Sequence, residues 1–366
     1  MSDQIQTSTL DLNESEFSKF SVIKGDLFFT RSSLKLEGIA HCNIYDADDK
    51  DIVFECHIMR VRPDQEKAVP YYLREYCVSS PARKYFMSYA KTGTMTTIDQ
   101  AGVGGLPVIL PPLPEQKKIS KILSTWDKAI SQLESLIELK EKRKRGLMQQ
   151  LLTGKKRFPG FSGEWEEVKL SKVASFINDG THSTPSYQEQ GVPFYSVENI
   201  SRDDFTNTKF ISVEEHEKLI RRCNPEKWDV LMTRIGTLGA TKLIDWDVNA
   251  SIYVSLALIR IDQSRIDLGY FYEFTKSEIF VREVKKRSLL NAAPQKINLK
   301  DIGQIKLNVP AEKEEQIRIG RLLASLRREI GNHQESKQKL SEGKKALMQQ
   351  LLTGKKRVQP DEVDHG

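Results

Sequence analysis

Side chains able to clasp phosphates and hydrogen-bond base edges gather in five short stretches of this chain. They are Arg31-Ser32-Ser33 with Lys35; Lys91-Thr92-Gly93-Thr94; Asp179-Gly180-Thr181-His182-Ser183-Thr184; Thr233-Arg234 with Thr237 and Lys242; and Asn291 with Gln295-Lys296. Arg and Lys neutralise phosphate, and amide and hydroxyl groups offer the donors and acceptors that a base edge can match. The candidate nucleic-acid contacts are therefore Arg31, Ser33, Lys35, Lys91 and Thr94 in the first part of the chain. In the second part they are Gly180, Thr181, Ser183, Thr184, Arg234, Thr237, Lys242, Asn291, Gln295 and Lys296. Polar loops are also what surfaces ordinarily show, so the scaffold decides whether these stretches act together.

Other chemistries lack their residues. The TGKK of 153–156 has no upstream glycine to form a phosphate-cradling GxxxxGK[ST] loop. Pro111-Pro112 has neither the Asn or Asp before it nor the aromatic after it that an amino-methyltransferase tetrapeptide needs, and no Gly-rich cofactor loop accompanies it. Glu138 and Lys140 match a loose nuclease-like Glu-x-Lys, but they sit in a heptad where a solvated face is expected. The pairs His41-Cys42 and Cys56-His57 lack zinc-ligand spacing, and neighbours in a strand point to opposite faces. The four cysteines show no CxxC pairing and are expected to be free thiols. No catalytic and no metal-binding residue is assigned.

The scaffold that must position the polar stretches is a repeat. LMQQLLTGKKR at 147–157 recurs identically at 347–357, and Glu115-Gln116 recurs as Glu315-Gln316 at the same offset of 200. Upstream, GDLFFTR (25–31) answers WDVLMTR (228–234), and Ile98 and Val103 answer Ile297 and Ile302. The identical parts read as long helices, with Pro114 and Pro310 marking the starts and Gly154 and Gly354 the ends. Ile119, Leu123, Trp126, Ile130, Leu133, Ile137, Lys140, Lys144, Leu147 and Leu151 recur at spacings of four and three, and copy two keeps the phase from Ile319 to Leu351. Such a stripe predicts a coiled coil in which each helix pairs antiparallel with the other. The run 140–157 carries eight cations and one anion, either a solvated helix end complementing the dipole or a polyanion contact.

Between the helices, VLMTRIG, SIYVSLALIRI, DIVFECHIMRVR and LPVILP read as strands, with helical stretches near 266–287 and 68–91. The length of 366 residues, 39% hydrophobic, 8% aromatic and 29% charged, fits two globular domains with real cores. The net charge of +6 favours a polyanionic partner. No apolar run reaches membrane-spanning length and the start is polar and acidic, so a cytoplasmic protein is expected.

A variable domain, PPLPEQKKISKIL leading into a long helix that ends LMQQLLTGKKRFPGF and GEW, then a second variable domain and helix: this order closely resembles the specificity (S) subunit of type I restriction-modification systems. The resemblance implies an α/β (α+β) chain with two mixed α/β target recognition domains, separated by two long antiparallel coiled-coil helices in a pseudo-twofold repeat. The expected boundaries are 1–110 for the first recognition domain, 111–155 for the first helix, 156–308 for the second domain with its connector, 309–355 for the second helix and 356–366 for a tail. It further implies a non-catalytic subunit that reads a bipartite double-stranded DNA target, with the helices as a ruler. Two modification (methyltransferase) subunits would dock on it, and through them restriction subunits for translocation and cleavage. S-adenosylmethionine, ATP and Mg would reside on those partners, with no cofactor in this chain. Copy one has about two dozen residues before GDLFFTR where copy two has about sixty before WDVLMTR, so the first domain is expected to lack its proximal half. A truncated or recombined chain, an internal start, or a missing part supplied from elsewhere would each explain this. The alternative to a recognition subunit is a scaffold or decoy that binds modification subunits without reading DNA.

Overall fold

The computed structural model describes residues 10–49 and 51–359, so the first nine residues and the tail from 360 lie outside it. The chain forms two compact units, 1–136 with 333–366, and 137–332. No helix among the described residues is long and apolar enough to cross a membrane.

Unit 1 begins with α1 (Glu14–Phe20), then β1 (Leu27–Thr30), β2 (Ser32–Ser33), β3 (Cys42–Ile44) and β4 (Ile58–Val61). Helices α2 (Pro70–Val78) and α3 (Ser80–Tyr89), strand β5 (Thr96–Thr97) and helix α4 (Gln100–Gly104) follow, before the long α5 (Leu113–Leu151). The antiparallel sheet β3-β1-β4 alternates strictly along β1. Leu27 and Phe29 point into a core with Tyr72, Tyr76 and Phe86, as expected of a strand with one covered face.

Unit 2 carries β6 (Trp165–Lys169), α6 (Leu170–Val173), β7 (Ala174–Asp179), β8 (Val192–Tyr195), α7 (Val197–Arg202), β9 (Lys209–Ile211) and α8 (Val213–Leu219). Then come β10 (Val230–Thr233), β11 (Thr241–Leu243), β12 (Ser251–Ile252), β13 (Leu256–Ile261), α9 (Leu268–Thr275), α10 (Glu278–Arg287), α11 (Leu299–Gly303), β14 (Lys306–Pro310) and the long α12 (Lys313–Leu351). Its main sheet is β11-β10-β13-β7, antiparallel throughout. Every residue of β10 is buried because both faces are covered. Val230 and Met232 meet the helical core, while Leu231 meets Tyr195, Ile252 and Leu258.

The long helices pair antiparallel within each unit. In unit 1 the contacts Glu115–Arg357, Asp127–Lys344 and Glu134–Lys337 fall on one helix as they rise on the other. In unit 2, Glu315–Arg157 and Glu329–Lys140 do the same. None of the heptad positions is exposed, in agreement with the predicted stripe. In unit 1 the seam is asymmetric in size: a Cβ on Gly343 would lie 2.8 Å from Cζ3 of Trp126, so the indole requires a glycine beneath it. Copy one has Arg143 and copy two has Leu326 at the corresponding positions. The ends of the helices also complete the cores. Met348, Leu351 and Leu352 join the core of unit 1, and Met148, Leu151 and Leu152 that of unit 2. Gly154 and Gly354 close the helices at φ +70° and +72°, the left-handed conformation in which glycine carries no Cβ penalty.

Several local expectations change. Pro310 ends β14 and the helix starts at Lys313, whereas Pro114 does lie in the first turn of α5. Each predicted helical stretch is two helices divided at Ser79 or Ser277, and the Ser277 hydroxyl caps α10 by accepting from the Phe280 amide. LPVILP forms no strand, although its counterpart β14 pairs with β6. Among the described residues of unit 1 nothing stands where β6 stands, and a strand without a ladder partner gains nothing from extension. DIVFECHIMRVR yields β4 alone, and its Glu55-Cys56-His57 portion is an exposed turn whose potential ligand atoms lie within 4.8 Å of one another. The expected opposition of Cys56 and His57 fails because that segment is not a strand.

Candidate nucleic-acid interface

The repeated WDVLMTR and GDLFFTR motifs explain how the polar loops are held. Asp229 is buried and takes a bidentate bond from Arg260 (Nε 2.8 Å, Nη2 2.8 Å) as well as the Glu226 amide. Asp26 repeats this with Arg62 (2.7 and 2.8 Å) and the Ile23 amide. Burial disfavours the Asp26 carboxylate, yet Arg62 and the amide outweigh it and hold its pKa below the ordinary value. At the other end of each strand a threonine gathers the loop. The Thr30 hydroxyl donates to the Gly38 carbonyl (2.7 Å) and accepts from the His41 amide (2.9 Å), and the Thr233 hydroxyl accepts from the Ala240 amide (3.0 Å).

Each loop so pinched forms a ribbon with the segment before α4 or α11. In unit 1, Ser32 pairs with Thr97 and Ser33 with Thr96, so Arg31, Ser33 and Lys35 lie beside Lys91 and Thr94. In unit 2, Ile235 and Leu289 both bridge to Lys296, and the Gly236 amide donates to the Gln295 carbonyl (2.8 Å). This joins Thr237 to Asn291, Gln295 and Lys296, all of them exposed.

The loop carrying Gly180, Thr181, Ser183 and Thr184 reaches the ribbon through Asp179. Arg234 is 7% exposed, and its Nη1 donates to Asp179 (2.8 Å) and the Val254 carbonyl (3.0 Å) while Nε donates to the Ile297 carbonyl (3.1 Å). Arg222 (2.5 Å) and His182 (3.1 Å) complete the surroundings of Asp179. Gly180 passes so close to the backbone at Ile252 that a Cβ would lie 1.8 Å from its carbonyl oxygen. Ser183 and Thr184 remain exposed, and a cleft of about 410 Å³ opens between Thr181, His182, Lys218, Leu219 and Arg222.

Two candidates are differently placed. Arg234 has its donors occupied inside the fold, and Lys242 is paired with Asp203 (2.5 Å) and stacked over Phe205. Arg31, the counterpart of Arg234, is exposed and has no carboxylate partner among the described residues. Asp179 is the organising residue that the search for cations and hydroxyls passed over; an acid directly before an obligate glycine was its only signal. In the basic run 140–157, Lys140 is paired to Glu329, and Arg157 makes two bonds to Glu315 (2.9 and 2.6 Å) and one to the Gly163 carbonyl. Arg357 grips Glu115 in the same way, holding its carboxyl below the usual range. Gln116 and Gln316 tie the globular parts to the helix starts, accepting from the amides of Val69 and Asp267. The most strictly repeated residues are therefore clasps of the scaffold.

Comparison with known proteins agrees with this architecture. The family described as "Type I restriction modification DNA specificity domain" matches residues 5–141 and 162–342. The chain is 27% identical over 365 residues to the putative type I restriction enzyme MjaX specificity subunit of Methanocaldococcus jannaschii, covering 95% of this chain and 82% of that protein. It is 27% identical over 290 residues to the MjaVIII specificity subunit of the same organism, covering 74% of this chain and 68% of that protein. The fold is shared with the type I S subunit of M. genitalium at a TM-score of 0.61 and 16% identity, covering 92% of this chain and 84% of that one. With duplicated ribbons, reciprocal helix clasps and a family match over most of its length, the chain belongs to the type I restriction-modification DNA specificity family.

Proposed function

We propose that this specificity subunit reads a bipartite double-stranded DNA target, with each unit's ribbon addressing one half. The observation that carries this is the repeated ribbon, which gathers cations with hydroxyl or amide groups at an exposed tip in both units. In unit 2, Ser183, Thr184, Thr237, Asn291, Gln295 and Lys296 contact DNA, the amides and hydroxyls at base edges and Lys296 at phosphate. Arg234 acts as a positioning residue, bonding Asp179 beside the Gly180–Thr184 loop and the Ile297 carbonyl beside the ribbon. In unit 1 the freed Arg31 joins Ser33, Lys35, Lys91 and Thr94 as a direct contact. The subunit is non-catalytic and docks two modification subunits, which bring S-adenosylmethionine and in turn recruit ATP- and Mg-dependent restriction subunits.

The test is genome-wide methylation mapping in cells that express this chain with its modification subunit. A two-part methylated motif is expected, and Gln295→Ala should relax one part only. A motif unchanged by both Gln295→Ala and Lys296→Ala would refute this assignment of the reading face.

A further inference from the structure

Both ribbons carry bare aliphatic side chains where only polar groups would be needed to contact DNA. Leu34 is 84% exposed and Met95 45%. Extending the Ser33–Thr96 register by one residue sets these two opposite each other at the ribbon tip. In unit 2 the corresponding place is held by Leu289 and Leu290, 48% and 46% exposed, with Leu289 bridged to Lys296. Single exposed leucines are ordinary on surfaces. A pair at the same point of a duplicated ribbon, on the face that gathers the cations, is not accounted for by packing.

The surroundings identify the occupant. Arg31 and Lys35 flank Leu34 and have no carboxylate partner among the described residues. From Val284 to Lys300 the sequence has Lys285, Lys286, Arg287, Lys296 and Lys300 and no acid. An apolar tip inside a ring of unpaired cations suits a polyanion with an apolar interior, which is what stacked base pairs within a phosphate backbone provide. Aliphatic wedges on groove-binding elements enter such stacks and unstack a base step. We infer that Leu34 with Met95, and Leu289 with Leu290, insert at base steps and locally unwind the DNA. This inference rests on the DNA-reading role proposed for the ribbons.

The test uses the full chain and closed-circular plasmid DNA relaxed by a topoisomerase in its presence, with binding followed separately by filter retention at low salt. Wild type should bind and leave the plasmid with a changed linking number after deproteinisation. Leu34→Ala/Met95→Ala and Leu289→Ala/Leu290→Ala should each reduce that change by about half and together abolish it, with affinity falling no more than about tenfold. Leu289→Met, which keeps an apolar wedge, should retain the change. All four side chains are exposed, so the melting temperature should hold in each variant. Binding by wild type without a linking-number change, or an unaltered change in the alanine variants, would overturn the wedge and leave the DNA-reading role standing. Failure of wild type to bind the plasmid at all would overturn both.

Discussion

Replacing Arg234 by alanine separates a positioning role from a reading role. The guanidinium is buried and satisfies Asp179 and the carbonyls of Val254 and Ile297. Removing one partner of a buried ion pair generally costs about 3 to 5 kcal/mol, because the survivor stays charged without its counter-ion. Asp179 retains Arg222 at 2.5 Å and His182 at 3.1 Å, which places the loss near the lower end. About 3 kcal/mol is roughly a hundredfold in the opening equilibrium of the ribbon and the 179–185 loop. Hydrogen exchange by mass spectrometry should therefore show the amides of Gly236 and Ile297, which bond across the ribbon, exchanging about a hundred times faster. The double variant Asp179→Asn/Arg234→Met, which removes both charges, should regain at least half of the protection. Gln295→Ala, an exposed position, should leave exchange unchanged while altering the methylated motif. If Arg234→Ala kept native protection and yet changed the motif, the arginine would have to leave its pocket and touch bases, and the positioning argument would fail.

The helix seam supplies a second expectation: Gly343→Arg, which installs the residue of copy one, should clash with Trp126 and lower stability by about 1 to 3 kcal/mol. Trp126→Leu in the same chain should restore most of it, as urea denaturation would show. A third concerns Lys276, whose ammonium donates to the Thr241 carbonyl and lies over the Tyr272 ring shared with Arg327. Burial pushes its pKa down to about 8 from 10.5, so between these values the unfolded chain binds more protons and stability rises with pH. Lys276→Met should flatten that rise and stabilise the protein at pH 7 by on the order of 1 to 3 kcal/mol, as melting curves from pH 7 to 10.5 would show.

The scaffold was legible because identity and periodicity are one-dimensional signals: the eleven-residue repeat and the heptad could be counted without coordinates. The antiparallel partner was legible too, since a helix with one apolar stripe must bury it on another. Tertiary substitution was not legible. Arg31 and Arg234 occupy equivalent places in the repeat, yet one is free and the other is held by Asp179, a residue 55 positions away. LPVILP reads as a strand by composition, but a strand needs a neighbour, and the neighbour that its counterpart finds is β6. Lys242 looked like a phosphate contact until Asp203 appeared beside it. Loop composition identifies the groups that can bind; only packing shows which of them are already engaged.

The closing residues of each core have a consequence for synthesis. Met348, Leu351 and Leu352 are needed beside Leu27, Phe29 and Tyr72, whereas the unit made of 137–332 is one uninterrupted stretch. On the ribosome the stretch translated second can therefore finish folding first, while the earliest residues wait with their apolar faces open until the last helix emerges. Domains are usually completed in the order of translation; here the amino-terminal one is completed last, and a stop codon a few residues before Met348 would leave it permanently unsealed.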